Sequence, residues 1–468
     1  MENEELRIKN ELRPYDGYKK IDLLWIDKIP KHWTVVGNRA LWSERKIQNC
    51  VDEELLSVTI KKGIIRQIDL LKNTSKKDSS NLDKSKYKLV LPNDIAYNKM
   101  RMWQGAVGAS KYKGIVSPAY IVLKPISKFN PGYYHYLMRT PDYIEESHRY
   151  SYGMCDDQLN LRYEDFKQMK IIKPPLDEQD KIVKYLNLKL SKINKFIKAK
   201  KKLIAALKEQ KQAVINEAVT KGINPNVKMK ASGIEWLGDI PEDWNCQKFS
   251  RIAQVKSNLV HPSDYSSYIQ VSPENIEKNS GKLLKCNTVL ESGIISDNHL
   301  FYKGQILYSK VRPKLNKVTI APFDGLCSAD MYPIETRLDT SYLLYFMLSN
   351  IFLMQLSVTD NRVKMPKINK EELSSIIIVE PPKNIQQELV HYIEEKNILV
   401  DRAITVLEKE INLITEYSTS LISNVVTGKL DVRHIEIDDI MDEDTEIGET
   451  EDEIIESEED ITIGESED

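Results

Sequence analysis

The chain has 468 residues, of which 41% are hydrophobic and 29% charged, with a formal net charge of −3. That length is too great for one core and predicts two or three domains, while no apolar run approaches membrane-spanning length. The five cysteines (Cys50, Cys155, Cys246, Cys286, Cys327) are scattered without a CxxC pair, which argues against a disulfide framework or zinc knuckle and for a reduced cytosol. The charge is unevenly placed. From His434 onward there are 18 Asp and Glu and no Lys or Arg, so residues 1–433 alone carry +15. A basic body of that size points to a polyanionic partner.

In chain order, residues 1–20 read as a polar arm, charged throughout and lacking the apolar stretch of a secretory signal. A globular segment over residues 21–175 follows, opening with LLWIDKIPKHW (Leu23 to Trp33). Within it, IAYNKMR and GIVSPAYIVLKPI read as strands bounded by turn residues. PGYYHYLMRTPDYIEES reads as short helices, because its aromatics and leucines recur at three and four. Lys72 to Lys86 reads as a loop. After Pro174-Pro175 a long charged helix is expected over residues 176–222. Ile182, Leu186, Leu190, Ile193, Ile197, Ile204, Leu207, Val214 and Ala218 form its apolar stripe. At 1.5 Å per residue it would run roughly 65 Å, more than an ordinary domain can bury, so one face needs a second long helix.

A linker over residues 223–233 leads to a second globular segment, residues 234–380, and then to a second long helix, residues 381–428, again announced by Pro381-Pro382. Its stripe is Ile385, Leu389, Ile393, Val400, Ile404, Leu407, Ile411, Ile414, Leu421 and Val425. Gly428 marks the helix end. Residues 429–468, acidic and without aromatics, are expected to be a disordered tail.

The two halves repeat one another. Trp25, Ile29, Pro30 and Trp33 match Trp236, Ile240, Pro241 and Trp244 at an offset of 211. At the same offset Tyr97, Lys99 and Arg101 match Tyr308, Lys310 and Arg312, and Gly114 to Ser117 match Gly325 to Ser328. At an offset of 207, Pro174, Pro175, Gln179, Val183 and Tyr185 match Pro381, Pro382, Gln386, Val390 and Tyr392. The fold class is therefore α+β: two tandem globular domains, each followed by a long helix, with the two helices pairing as an antiparallel coiled coil. The four repeated tryptophans read as core anchors.

No catalytic constellation is found. GxGxxG and GxxxxGK[ST] loops are absent. The Pro-Pro pairs lack the amide or acid and the aromatic of an amino-methyltransferase loop, and read as rigid connectors. The seven histidines show no H-x-x-x-H spacing, so no metal site is expected. The repeated basic residues carry the functional reading. Lys99 and Arg101, like Lys310 and Arg312, are two apart on an expected strand and would share one face toward phosphates or guanine edges. Asn98 and Ser309 accompany them, and Lys111, Lys113, Lys314 and Lys317 extend the charge. Gln158, Asn160 and Arg162, with Arg362, Lys364 and Lys367, are further candidates on loops before each helix.

With I-P-x-x-W opening each unit, Tyr-x-Lys-x-Arg and Gly-x-x-Ser inside it, and Pro-Pro-x-x-x-Gln entering each helix, residues 20–430 resemble the specificity subunit of type I restriction–modification systems. The resemblance implies a DNA-recognition subunit without catalysis of its own, carrying two target-recognition domains. Each domain would read one half of a split site in double-stranded DNA, and the helices would set the spacer. It also implies two modification subunits as partners, with restriction subunits as further ones. S-adenosylmethionine, ATP and Mg would belong to those partners and no cofactor to this chain. Its setting would be the cytoplasm, with no membrane. The rival reading is a structural coiled-coil scaffold that binds nucleic acid without sequence preference. A self-sufficient methyltransferase or endonuclease is a third reading, opposed by the missing loops. The acidic tail is no part of the family pattern; it reads as a solubilising segment or as a decoy for the basic groove.

Overall fold

The computed structural model of the chain describes residues 12–71, 83–154, 158–357 and 366–437. By packing it forms two units: the first takes the chain up to Lys201 and resumes at Lys409, and the second is Lys202–Glu408. Each unit thus owns part of both long helices.

The first unit is built on a four-stranded antiparallel sheet ordered Trp42–Glu44, Tyr120–Pro125, Ile95–Asn98, Val107–Ala109. The second has the same sheet in the same order: Ala253–Val255, Met331–Thr336, Ile306–Ser309, Val318–Ile320. Every strand of one sheet sits 211 positions from its counterpart in the other. A two-stranded pair also recurs, Thr34–Gly37 with Lys170–Lys173 and Asn245–Lys248 with Ile377–Glu380. The duplication read in short motifs is a duplication of the scaffold.

The units differ in what is hung on it. The first carries a hairpin, Leu56–Thr59 with Gly63–Arg66, and a pair formed by Lys88–Val90 and Gly114–Val116. In the second, Gly325–Cys327 joins a five-stranded mixed sheet, parallel to Ile269–Val271 and antiparallel to Asn298–Phe301.

The long helices span Leu176–Lys221 and Lys383–Val426. In the first unit, Ile182 and Leu186 share a core with Leu421 and Val425, and Lys200 reaches Glu410 at 2.9 Å. In the second, Ile215 and Val219 share a core with Leu389 and Ile393, and Lys211 reaches Asp401 at 2.8 Å. In both units the partner number falls as the first rises, so the helices pack antiparallel. Each helix ends on a glycine in the left-handed region, Gly222 (φ +80°) and Gly428 (φ +75°). A Cβ on Gly428 would stand 2.6 Å from Pro30 Cδ, and one on Gly222 3.3 Å from Trp244. Each I-P-x-x-W motif is therefore the seat for a helix end, and each helix ends on the motif of the unit that did not begin it.

Four sequence-based expectations do not hold. The arm expected over residues 1–20 is partly built in, since Tyr15 is a core residue and Tyr18–Leu23 is a strand. The linker expected over residues 223–233 carries the strand Met229–Ala231, paired with Asp239–Pro241. Trp25, Trp33 and Trp244 are buried, but Trp236 is 39% exposed, since it lies in the turn after Met229–Ala231 rather than over the core. The acidic tail also begins later than expected. Within Lys429–Ile437, Val432 and Ile435 are core residues, and Asp431 N–H donates to Arg13 O at 2.7 Å. Residues 438–468 lie outside the described residues, as do 1–11 of the arm and 72–82 of the loop. Among the described residues no helix is long and apolar enough to cross a membrane.

Candidate nucleic-acid interface

Lys99 and Arg101 do not lie on a strand face. The strand ends at Asn98, whose Oδ1 accepts from Met100 N–H (2.9 Å) while its carbonyl accepts from Arg101 N–H (3.1 Å). An Asn side chain that captures the amide two residues on turns the chain before the pleat can continue. In the second unit the strand likewise ends at Ser309, and Arg312 has φ +50°.

Both turns are junctions of three segments. Lys99 N–H donates to Ala119 O (3.1 Å) and its carbonyl accepts from Leu161 N–H (2.7 Å). Lys310 N–H donates to Asp330 O (3.0 Å), its carbonyl accepts from Ile368 N–H (2.9 Å), and Arg312 N–H donates to Pro366 O (2.9 Å). Tyr152 and Asn160 exchange backbone bonds at 3.1 and 3.0 Å, closing the loop that carries Gln158. The structure thus gathers Asn98, Lys99, Arg101, Asn160 and Arg162 around one junction, with Gln158 on the adjoining loop. Lys310, Arg312 and Lys367 gather around the other. Arg362 and Lys364 lie outside the described residues.

The charges at the two junctions differ. Lys310 Nζ donates to Ala329 O at 2.6 Å and lies 5.6 Å over the Tyr332 ring. Asp330 Oδ1 takes Lys367 at 3.0 Å and stands 3.8 Å from Lys310. The first unit has Ala119 where the second has Asp330, so the same backbone joint carries no carboxylate there.

Other candidates are committed elsewhere. Ser309 is 2% exposed and its hydroxyl donates to Val311 O at 3.1 Å, so it presents nothing to solvent. Lys317 Nζ donates to Pro273 O at 2.7 Å, and Lys113 pairs with Glu53. Lys111 and Lys113 occupy the turn after Val107–Ala109, apart from the junction; Lys314 is exposed on the short turn Pro313–Leu315.

Sequence reasoning missed a further cationic cluster in the first unit. Lys61 and Lys62 form the tip of the hairpin Leu56–Arg66, over His135 and Arg139. Burial, with Arg139 and Lys111 nearby, pushes the His135 imidazole down to about 3, and burial holds the Arg139 guanidinium near 10. The Lys-Lys-Gly of a two-strand turn was the available signal. Among the described residues no group of three His, Cys, Asp or Glu could hold a metal ion.

Two copies of one α+β scaffold, each with a basic junction on its surface and joined by paired long helices, define a bipartite polyanion-binding class. A family model described as the type I restriction modification DNA specificity domain matches residues 62–209 and again 241–416. The chain belongs to this family. It is 33% identical over 289 residues to the EcoDI specificity subunit of Escherichia coli, covering 58% of this chain and 64% of that one. It is 24% identical over 374 residues to the MjaVIII specificity subunit of Methanocaldococcus jannaschii, covering 74% and 81%. A chain from a solved structure concerned with complex assembly and conformational transition of the type I restriction–modification system shares the fold. Its TM-score is 0.63 at 13% identity, covering 86% of this chain and all of that one.

Proposed function

We propose that this chain is the DNA-reading subunit of a type I restriction–modification complex and recognises a split, asymmetric site. The observation that carries the proposal is the pairing of an identical scaffold with unlike additions. The same four-stranded sheet recurs at a constant offset of 211, while the elements attached to it differ between units. A duplicated frame gives two heads of one design, and unlike additions give two different half-sites. Lysines at the junctions and turns would neutralise phosphates and supply most of the affinity. Asn98, Asn160 and the arginines would offer the forked or amide groups that read base edges. The antiparallel helices would fix the spacer between half-sites. Two modification subunits, and restriction subunits beside them, would bring S-adenosylmethionine, ATP and Mg; this chain would hold none of them and would act in the cytoplasm without catalysis of its own.

The test exchanges residues 234–380 for the corresponding segment of another family member and maps methylated bases in cells supplied with the modification subunit. One half-site should change and the other persist. Change in both, or in neither, would sink the two-reader proposal. An indifferent scaffold would give no discrete methylated sequence.

A further inference from the structure

The hairpin tip of the first unit is held with unusual thoroughness for an exposed turn. Arg139, partly buried on the turn after helix Pro131–Leu137, donates to Val107 O at 3.2 Å and to Lys61 O. Among the described residues no carboxylate offsets its charge. Lys62 N–H donates to Thr59 Oγ1 at 3.0 Å, and that hydroxyl donates to Gly63 O at 3.2 Å. Gly63 has φ +74°, and a Cβ there would lie 2.8 Å from His135 Cε1 and 3.2 Å from Arg139 Nη1. On the other side, a Cβ on Gly108 would lie 2.9 Å from Gly63 Cα. The backbone crosses too closely for any side chain, and the crossing fixes the tip.

Placing a cation among carbonyls without a carboxylate is costly, and what it satisfies at this tip is one carbonyl of buried Val107 and one of the exposed turn residue Lys61. What this arrangement holds still is a pair of adjacent lysines that point away from the core. Lys61 is exposed, Lys62 partly so, and exposed Lys111 lies close enough to influence His135. A turn that only needed solvation would gain nothing from such fixing, whereas prearranged ammonium groups bind phosphates without first losing side-chain and backbone freedom.

We propose that the turn Lys61-Lys62-Gly63 is a phosphate-contact element of the first unit, and that Arg139 is the positioning residue which holds it. The proposal rests on the DNA-reading role above and names where part of that unit's backbone grip comes from.

The test measures binding of the full chain to a mixed-sequence duplex of about 40 base pairs from 50 to 300 mM KCl. The double variant Lys61→Ala, Lys62→Ala should lower the slope of log K against log salt by about 2. Binding should be roughly thirtyfold weaker at the low-salt end and converge with wild type at high salt. Arg139→Lys keeps the charge but replaces the fork, whose two nitrogens reach the Val107 and Lys61 carbonyls separately, with a single compact donor atom. If Arg139 positions the turn, Arg139→Lys loses the same slope, and adding it to the double variant loses nothing more. If Arg139→Lys binds like wild type, the positioning role is overturned. If the double variant, with an unchanged melting temperature, keeps the wild-type slope, the phosphate role is overturned while DNA reading stands. A wild-type chain indifferent to duplex would overturn the DNA-reading role and this element with it.

Discussion

Gln179 and Gln386, 207 positions apart, make the same two hydrogen bonds. Gln179 Nε2 donates to Pro174 O at 2.8 Å and its Oε1 accepts from Asn130 N–H at 2.9 Å. Gln386 Nε2 donates to Pro381 O at 2.9 Å and its Oε1 accepts from Asp339 N–H at 2.8 Å. Asn130 and Asp339 are the N-caps of the helices Pro131–Leu137 and Thr340–Leu348. Each glutamine therefore ties a long helix to the short helix beside it, holding the carbonyl of the first proline of the Pro-Pro pair and the N-cap amide at once.

Replacing Gln179 with Leu keeps most of the volume and orphans one carbonyl and one N–H in the interior. The expected cost is about 2 to 4 kcal/mol. Gln386→Leu should cost a similar amount, read by urea unfolding. A cost below about 0.5 kcal/mol in both would show that water replaces the glutamine and that neither side chain ties the helices together.

Asp330 holds Lys367 and borders Lys310. Asp330→Asn should release Lys367 and remove the negative charge beside Lys310, steepen the salt dependence of duplex binding and raise low-salt affinity several-fold. Ala119→Asp should do the reverse in the first unit. The relevant measurement is anisotropy titration at several salt concentrations; unchanged slopes in both variants would remove these junctions from the interface.

The His135 imidazole is pushed down to about 3, chiefly by burial. Its unfolded value is about 6.5, so between the two values the unfolded chain binds a proton that the folded chain refuses. Stability from this group is complete above about 6.5 and is lost as pH falls toward 3, by at most about 1.4 kcal/mol per pH unit. His135→Gln should flatten that part of the stability–pH curve, as followed by denaturant midpoints. An identical curve would show that His135 does not carry it.

Truncation after Arg433 removes Ile435 from the first core, whereas truncation after Ile437 leaves the core whole. The shorter chain should be destabilised by about 2 kcal/mol, the longer one unchanged in melting temperature. The longer one is also the chain on which to test a decoy role for the acidic segment, by whether duplex affinity rises at low salt.

Removing seven residues from each long helix shortens each by about 10 Å. On the proposed function the preferred spacer should contract by about three base pairs, read from methylated-site mapping. An unchanged spacer would mean that the helices do not set it.

The scaffold was legible because short motifs mark its joints. I-P-x-x-W seats a helix end, and Pro-Pro-x-x-x-Gln enters a helix, so the same residues were needed twice. The site was less legible, for local and long-range reasons. Nothing in Tyr-x-Lys-x-Arg says that Asn98 will bend the chain after Tyr97, ending the strand. Asp330 is twenty positions from Lys310 and meets it only through the sheet, and Arg139 reaches Lys61 from the turn after the helix Pro131–Leu137, 78 positions away. Trp236 matches Trp25 in sequence, yet sits on a turn and faces solvent.

The way each helix ends on the motif of the other unit bears on how the chain is made. The unit built from Lys202–Glu408 is one continuous stretch, complete before the last helix is finished. The other waits for Val425, Val432 and Ile435, which close the core around Trp33 and Ile182. On the ribosome, where chains emerge at several residues per second, that core stays open until Ile435 has emerged. The unit that is synthesised first is the last to be finished.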